Sequence, residues 1–219
     1  MPNRSYGQYC GLARALEMVG ERWALLIIRD LLVGPRRFSD LRRGLPKIPT
    51  NILTNRLKEL ERNGIVRRRE LPRPASAVVY ELTEYGERLD PIVRELGLWG
   101  AQSLGKPGGE EIITTDSMIM ALRSTFRPEA ATDAHITYEF HFGPITIHAR
   151  VDDGEVFVAE GPVSDADLVV EAGPAVKDLL TGDVTAAEAI EAGLVQVSGD
   201  PALLERFTDM FRIPARPAA

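Results

Sequence analysis

Cysteine is almost absent from this chain: Cys10 stands alone among 219 residues that also hold only three histidines and 6% aromatic side chains. A lone cysteine excludes an intrachain disulfide framework and any Cys-x-x-Cys metal or redox motif. Long apolar runs are missing too. In the first part of the chain the longest one free of charge and turn residues is Trp23 to Ile28, far short of the ~20 residues that span a bilayer. The start, Met1-Pro2-Asn3-Arg4-Ser5-Tyr6-Gly7-Gln8, has no apolar stretch behind basic residues, so no secretory leader and a cytoplasmic location are expected. No His-Glu-x-x-His, glycine-rich phosphate loop or local Ser/His/Asp arrangement occurs, so neither an enzyme nor a bound cofactor is expected. The remainder, 44% apolar and 26% charged, is a globular composition.

The net charge of −6 hides a division. Residues 1–104 carry 18 Lys and Arg against 12 Asp and Glu, a balance of +6, whereas residues 105–219 carry 8 against 20, or −12. Within residues 36–73 there are 12 basic and 4 acidic side chains, the footprint of a surface that meets phosphates. The Gly/Pro-rich stretch 105–109 separates the two halves and offers neither apolar periodicity nor helix propensity. The expected organisation is therefore two domains: residues 1–104, a linker at 105–114, residues 115–213, and a flexible tail at 214–219.

In the first half, Leu12, Leu16 and Val19 recur at helical spacing, and Trp23, Leu26, Ile27, Asp30 and Leu31 continue in a second helix that ends at Gly34-Pro35. A short helix runs from Phe38 to Arg43. A turn through Leu45-Pro46-Lys47-Ile48-Pro49 follows, and Thr50 opens another helix, with Leu53, Leu57 and Leu60 on one stripe and Asn63-Gly64 as its stop. The period then changes to strands at Ile65–Leu71 and Val78–Leu82, joined by a loop containing Arg73. A last helix begins near Thr83 and passes Leu89, Ile92, Val93, Leu96 and Trp99, with Pro91 expected to kink it. Helix, helix, helix-turn-helix, hairpin, helix is the order of a winged helix.

The runs Tyr9-Cys10-Gly11-Leu12-Ala13-Arg14-Ala15-Leu16, Gly20-Glu21-Arg22-Trp23-Ala24-Leu25-Leu26, Gly34-Pro35-Arg36-Arg37-Phe38-Ser39-Asp40-Leu41, Leu53-Thr54-Asn55-Arg56-Leu57 and Val79-Tyr80-Glu81-Leu82-Thr83 resemble the HxlR-type winged helix-turn-helix regulators of bacteria over about residues 8–102. That resemblance implies a homodimer whose terminal helices pair, here the helix near Cys10–Val19 and the one holding Leu96 and Trp99. Gly11 departs from the family pattern, which has proline after the cysteine. In some members the matching cysteine senses electrophiles or forms an intersubunit disulfide, so Cys10 has two readings: a redox sensor, or a small side chain buried at the dimer seam.

A recognition helix presents short polar side chains and a few cations, because base edges offer paired donors and acceptors and the flanking phosphates need positive charge. Thr50, Asn51, Thr54, Asn55, Arg56 and Lys58 fit that description. Along the first strand Arg67 and Arg69 share a face and Arg68 takes the other. With Arg73 at the loop, and Arg36 and Arg37 at the start of the preceding helix, they are expected to contact phosphates. The expected partner is double-stranded DNA with a palindromic operator, its half-sites ~34 Å apart or a multiple of that.

The acidic half begins with a helix from Asp116 to Phe126. Strands are expected at His135–Phe142, Ile145–Arg150, Val156–Ala159, Leu168–Glu171 and Leu194–Val197, with helices at Ala175–Leu180, after Thr185 and after Asp200-Pro201. This describes an α+β fold with a mostly antiparallel sheet. The element order, with Leu179-Leu180-Thr181-Gly182 and Val197-Ser198-Gly199-Asp200-Pro201, resembles the sterol carrier protein family of lipid-binding domains over about residues 115–212. The resemblance implies an apolar ligand between sheet and helices, with Met118, Met120, Phe126, Phe140, Phe142, Phe207, Met210 and Phe211 as its lining; the same residue types at this spacing also make an ordinary core. A −12 surface suits no anionic membrane. His141 and His148 share a sheet face with Glu139, but a hairpin creates that spacing without any metal, and no metal is expected. Two functional classes remain: a DNA-binding regulator tuned by a small apolar ligand or through Cys10, and a lipid-binding carrier that uses its winged helix for protein contacts.

Overall fold

The structure, a computed structural model, describes residues 5–72, 76–105, 108–109, 111–173 and 175–216. Arg73 lies outside the described residues, as do parts of the expected linker and tail. The chain divides into two compact units, Met1–Val93 and Arg94–Ala219. The division falls inside a helix, upstream of the glycine-rich stretch, at a point where composition gives no break.

The first unit opens with helices α1 (Gly11–Val19) and α2 (Ala24–Val33). Trp23, read from periodicity as part of the second helix, instead precedes it with φ 79°; its ring packs on the core and carries the Arg22 guanidinium 5.1 Å above it. Next come strand β1 (Arg36–Arg37), helix α3 (Phe38–Gly44) and helix α4 (Thr50–Arg62). The stripe Leu53, Leu57 and Leu60 is buried to within 1% against Ile27, Ile28, Leu31 and Leu41. Removing that much apolar surface from water is the main reason α4 holds its place. Its end is a paired cap, with the amides of Gly64 and Ile65 donating to the carbonyls of Glu61 and Leu60.

Strands β2 (Val66–Glu70) and β3 (Val78–Leu82) pair antiparallel, and β1 joins the far side of β3, giving the order β1-β3-β2. Arg36 and Arg37 lead into α3 as expected, Arg37 as its N-cap with its amide donating to Asp40 Oδ2 at 3.1 Å, and the same two residues also form a short strand opposite Tyr80 and Val79. Two residues are too few to show an alternating pattern. The long helix expected from Thr83 is corrected, into α5 (Glu84–Glu87) and α6 (Asp90–Ala101). Pro91 stands in the first turn of α6, where a missing N–H costs nothing, so it starts a helix and kinks none. Gly86 is required at the junction, because a Cβ there would lie 2.2 Å from the carbonyl oxygen of Ile65.

The second unit contains α7 (Thr115–Thr125), a 3-10 turn (Pro128–Ala130), β4 (His135–Phe142), β5 (Ile145–Asp152), β6 (Glu155–Glu160), β7 (Leu168–Ala172), α8 (Val176–Thr181), α9 (Ala186–Glu191), β8 (Val195–Gly199) and α10 (Ala202–Met210). The sheet order is β6-β5-β4-β7-β8; β4 and β7 run parallel and the other neighbours antiparallel. Asp153 and Gly154, with φ of 44° and 80°, make the tight turn between β5 and β6. Tyr138 and Phe140 face α10, whose Phe207 ring lies 5.5 and 4.9 Å from theirs.

To pass from edge strand β6 to β7, the chain crosses the opposite face of the sheet along residues 161–167. The crossing is pinned by the Val163 amide donating to Glu139 Oε2 (2.7 Å), the His148 ring meeting the Gly161 carbonyl (2.9 Å), and two Arg150–Asp165 bonds. This accounts for the burial of Thr137 and Glu139 on the face that alternation assigns to solvent. No helix among the described residues is long and apolar enough to cross a membrane.

Candidate nucleic-acid interface

Burying Leu53, Leu57 and Leu60 fixes the rotation of α4 and so decides which side chains it presents. Thr50, Asn51, Asn55 and Lys58 are exposed and Thr54 is half-buried, its hydroxyl donating to the Thr50 carbonyl at 2.9 Å. Arg62 continues the stripe at the helical spacing Asn51, Asn55, Lys58, Arg62 and joins Asn55 and Lys58 along one shallow cleft. The same period that located Leu53, Leu57 and Leu60 would have found it.

Arg56 departs from this set. Its side chain is 15% exposed and is held by Glu21 (Nη2 to Oε2, 3.0 Å) and by Glu59. The structure turns it back onto α2's N-terminal approach and away from the exposed stripe.

On the wing, Arg67 stands opposite Glu81, and Arg69 stands opposite Val79. Both arginines donate from Nε to Glu81, at 2.8 and 2.7 Å, while their side chains stay 65% and 45% exposed. Arg69 first, then Arg67, outweighs the opposing effect of burial and holds the Glu81 carboxyl below the usual carboxylate range. Arg68 takes the other face, with its guanidinium 5.9 Å from the Tyr80 ring. Arg37 is exposed and in register with Val79, which puts it on the face of Arg67 and Arg69; Arg36 is half-buried and in register with Tyr80, on the face of Arg68. The site thus combines a polar helix stripe with a basic strand face. It offers hydrogen-bonding groups for base edges and cations for phosphate.

Cys10 is exposed at the N-cap of α1, where the backbone N–H groups of Ala13 and then Leu12 pull its thiol below the ordinary range. Leu12 and Leu16 on α1, and Ile92, Leu96 and Trp99 on α6, are also exposed.

In the second unit the aromatic side chains expected to line a pocket pack on one another. Phe207, Met210 and Phe211 are fully buried, Phe140 and Met120 nearly so, and Met118, Phe126 and Phe142 partly. Phe126 and Phe211 lie 5.2 Å apart, Phe207 and Phe211 4.6 Å, and Phe140 and Phe142 6.1 Å. On the other sheet face Glu139 Oε1 lies 2.6 Å from His141 Nε2, and His141 Nδ1 lies 2.8 Å from Glu171. No group of three or more His, Cys, Asp or Glu among the described residues is arranged to hold a metal ion.

The HxlR-like helix-turn-helix family matches residues 18–107. The HTH-type transcriptional regulator YodB of Bacillus subtilis is 42% identical over 88 residues, covering 40% of this chain and 79% of that protein. YvaP of the same organism, an HTH-type transcriptional regulator, is 37% identical over 89 residues, covering 41% and 82%. Among solved structures, the redox regulator HypR in its oxidized form is 34% identical and covers 44% of this chain and 99% of its own, with a TM-score of 0.42; diamide-treated YodB gives 39%, 44%, 96% and 0.37. With a regulator of this identity covered over four-fifths of its length, the chain belongs to the HxlR-like helix-turn-helix family of DNA-binding transcriptional regulators.

Proposed function

We propose that this protein is a dimeric, sequence-specific regulator in which α4 enters the major groove of a palindromic operator. Asn51 and Asn55 pair with adenine edges, Thr50 and Thr54 meet a phosphate or a thymine methyl, and Lys58 contacts the backbone or a guanine. Arg67, Arg69 and Arg37 hold phosphates beside the groove, with Arg36 behind them. The observation that carries this reading is the exposed Asn51-Asn55-Lys58 stripe, fixed by the buried Leu53-Leu57-Leu60 stripe behind it. Exposed Leu12 and Leu16, together with Ile92, Leu96 and Trp99 at i, i+4 and i+7, supply apolar surface that a second copy would cover.

The second unit is read as a sensor of a small apolar molecule. Support comes from its resemblance to sterol carrier domains and from the aromatic cluster between sheet and α10, which a guest would have to open. A guest that fits one arrangement of the dimer better shifts the spacing of the two recognition helices and so changes operator affinity. Mass spectrometry on an organic extract of the purified protein tests for such a guest.

DNA binding is tested with duplexes enriched from a random pool. Affinity should fall steeply between about 50 and 200 mM salt, since each phosphate contact releases counterions. Reversing charge at Arg67 and Arg69 to Glu should abolish binding; retained binding would remove these arginines from the phosphate contacts, and a wild-type chain that binds no duplex would favour the carrier reading, in which the winged helix serves protein contacts. A second reading rests on the exposed, acidified thiol of Cys10, a position that suits redox control. If Cys10→Ser protein still releases DNA on treatment with diamide, that reading fails.

A further inference from the structure

A carboxylate on a phosphate-binding face weakens attraction to DNA, yet Glu81 sits between the two wing arginines with its side chain only 11% exposed. Cross-strand register places it there: Arg67 is its direct partner and Arg69 its diagonal neighbour on the same face. Each arginine donates its Nε–H to a different oxygen, Arg67 to Oε1 and Arg69 to Oε2. A guanidinium engaged through Nε keeps its end-on pair, Nη1 and Nη2, for a second acceptor, and that pair is the fork that grips a phosphate through two parallel bonds. One carboxylate therefore holds two exposed, otherwise flexible side chains and aims two phosphate-binding edges from neighbouring positions.

We propose that Glu81 is a positioning residue for DNA recognition: by holding Arg67 and Arg69 side by side in the free protein, it gives the wing a fixed geometry matched to phosphates of one operator register. This rests on the reading of β2 as a DNA-facing strand. Long side chains lose rotamer freedom when they bind, and a partner that restricts them beforehand reduces that loss. Glu81 trades bulk attraction for order. General affinity for any DNA falls because a negative charge is present, while affinity for the matched duplex rises because the arginines are already in place.

The two effects have opposite signs, which makes them separable. The wild-type chain is used to enrich a duplex from a random pool, and dissociation constants are measured for that duplex and a scrambled one of equal length. Glu81→Ala should bind the enriched duplex about fivefold or more weakly and the scrambled duplex equally or more tightly. Glu81→Gln carries the same charge change but keeps one acceptor oxygen for one arginine, and should fall between; it also serves if the alanine variant does not fold. In an Arg67→Ala, Arg69→Ala background the Glu81 substitution should no longer weaken binding of the enriched duplex and should leave it equal or tighter, as it does the scrambled one. Enriched-duplex binding by Glu81→Ala that equals or exceeds wild type overturns the proposal alone, as does an undiminished loss in the arginine-free background. Failure of the wild-type chain to enrich any sequence overturns the DNA-reading function together with it.

Discussion

Arg56 on α4 donates to Glu21, thirty-five residues earlier, with Nη2 and Oε2 3.0 Å apart. This contact and the Arg56–Glu59 pair tie α4 to the approach of α2 and so fix the angle at which the exposed stripe is presented.

Arg56→Ala is therefore expected to act on stability. Loss of this partly buried pair should cost about 1 kcal/mol, lowering the melting temperature of the first unit by about 4–8 °C. Affinity for an enriched duplex, measured well below that temperature, should change less than on substitution of Asn55. A large loss of binding with unchanged melting temperature would return Arg56 to the DNA-contacting set.

Asn55 and Lys58 should fail in different ways. Asn55→Ala is expected to lose about 1–3 kcal/mol of discrimination at one base pair with the salt dependence intact. Lys58→Ala should weaken binding to all duplexes and reduce the slope of log K against log salt by about 1. Titrations at four salt concentrations with matched and mismatched duplexes separate the two.

Phe207 is fully buried among Tyr138, Phe140 and Phe211. Phe207→Ala should cost about 3–5 kcal/mol through lost contacts and the cavity left behind, read by denaturant unfolding of the second unit. A cost under about 1 kcal/mol would show that the cluster collapses freely around the gap.

The outer sheet face should make the second unit sensitive to pH. Burial pushes the Glu139 carboxyl up, but the bonds from His141 and the Val163 amide outweigh it and hold the group below its ordinary 4.5. Glu139 raises His141 above its ordinary 6.5; burial opposes the shift and Glu171 adds to it. His148, in register with Glu139 across β5, lowers that carboxyl further. A raised histidine gives stability that is complete below 6.5 and is lost as pH rises through its folded value. The depressed carboxylate gives stability that is complete above 4.5 and is lost as pH falls through its folded value. One ion pair is seen from both ends, so the two contributions are a single effect. Calorimetry should show the melting temperature of the second unit falling on both sides of pH 4.5–6.5, with the alkaline fall absent in His141→Gln.

Local pattern carried much of this protein. The Leu53-Leu57-Leu60 stripe, the stop at Asn63-Gly64, the Thr185–Glu188 capping box and the alternation along β4 each depend on residues a few positions apart, and that spacing alone sets which face is apolar. The separation of basic from acidic charge at residue 104 was equally legible, and it opposed what the net charge of −6 implied.

Tertiary structure decided the features whose partners lie far away in the chain. Whether Arg56 faces DNA or Glu21 depends on where another helix ends. Arg36 and Arg37 became a strand because β3 offered them an unpaired edge, and Glu139 became buried because the crossing from β6 to β7 passes over it. Periodicity reports the face a side chain occupies, but only packing determines what that face meets. Glu81 shows both: alternation places it with Arg67 and Arg69, and pairing of β2 with β3 makes it the group that holds them.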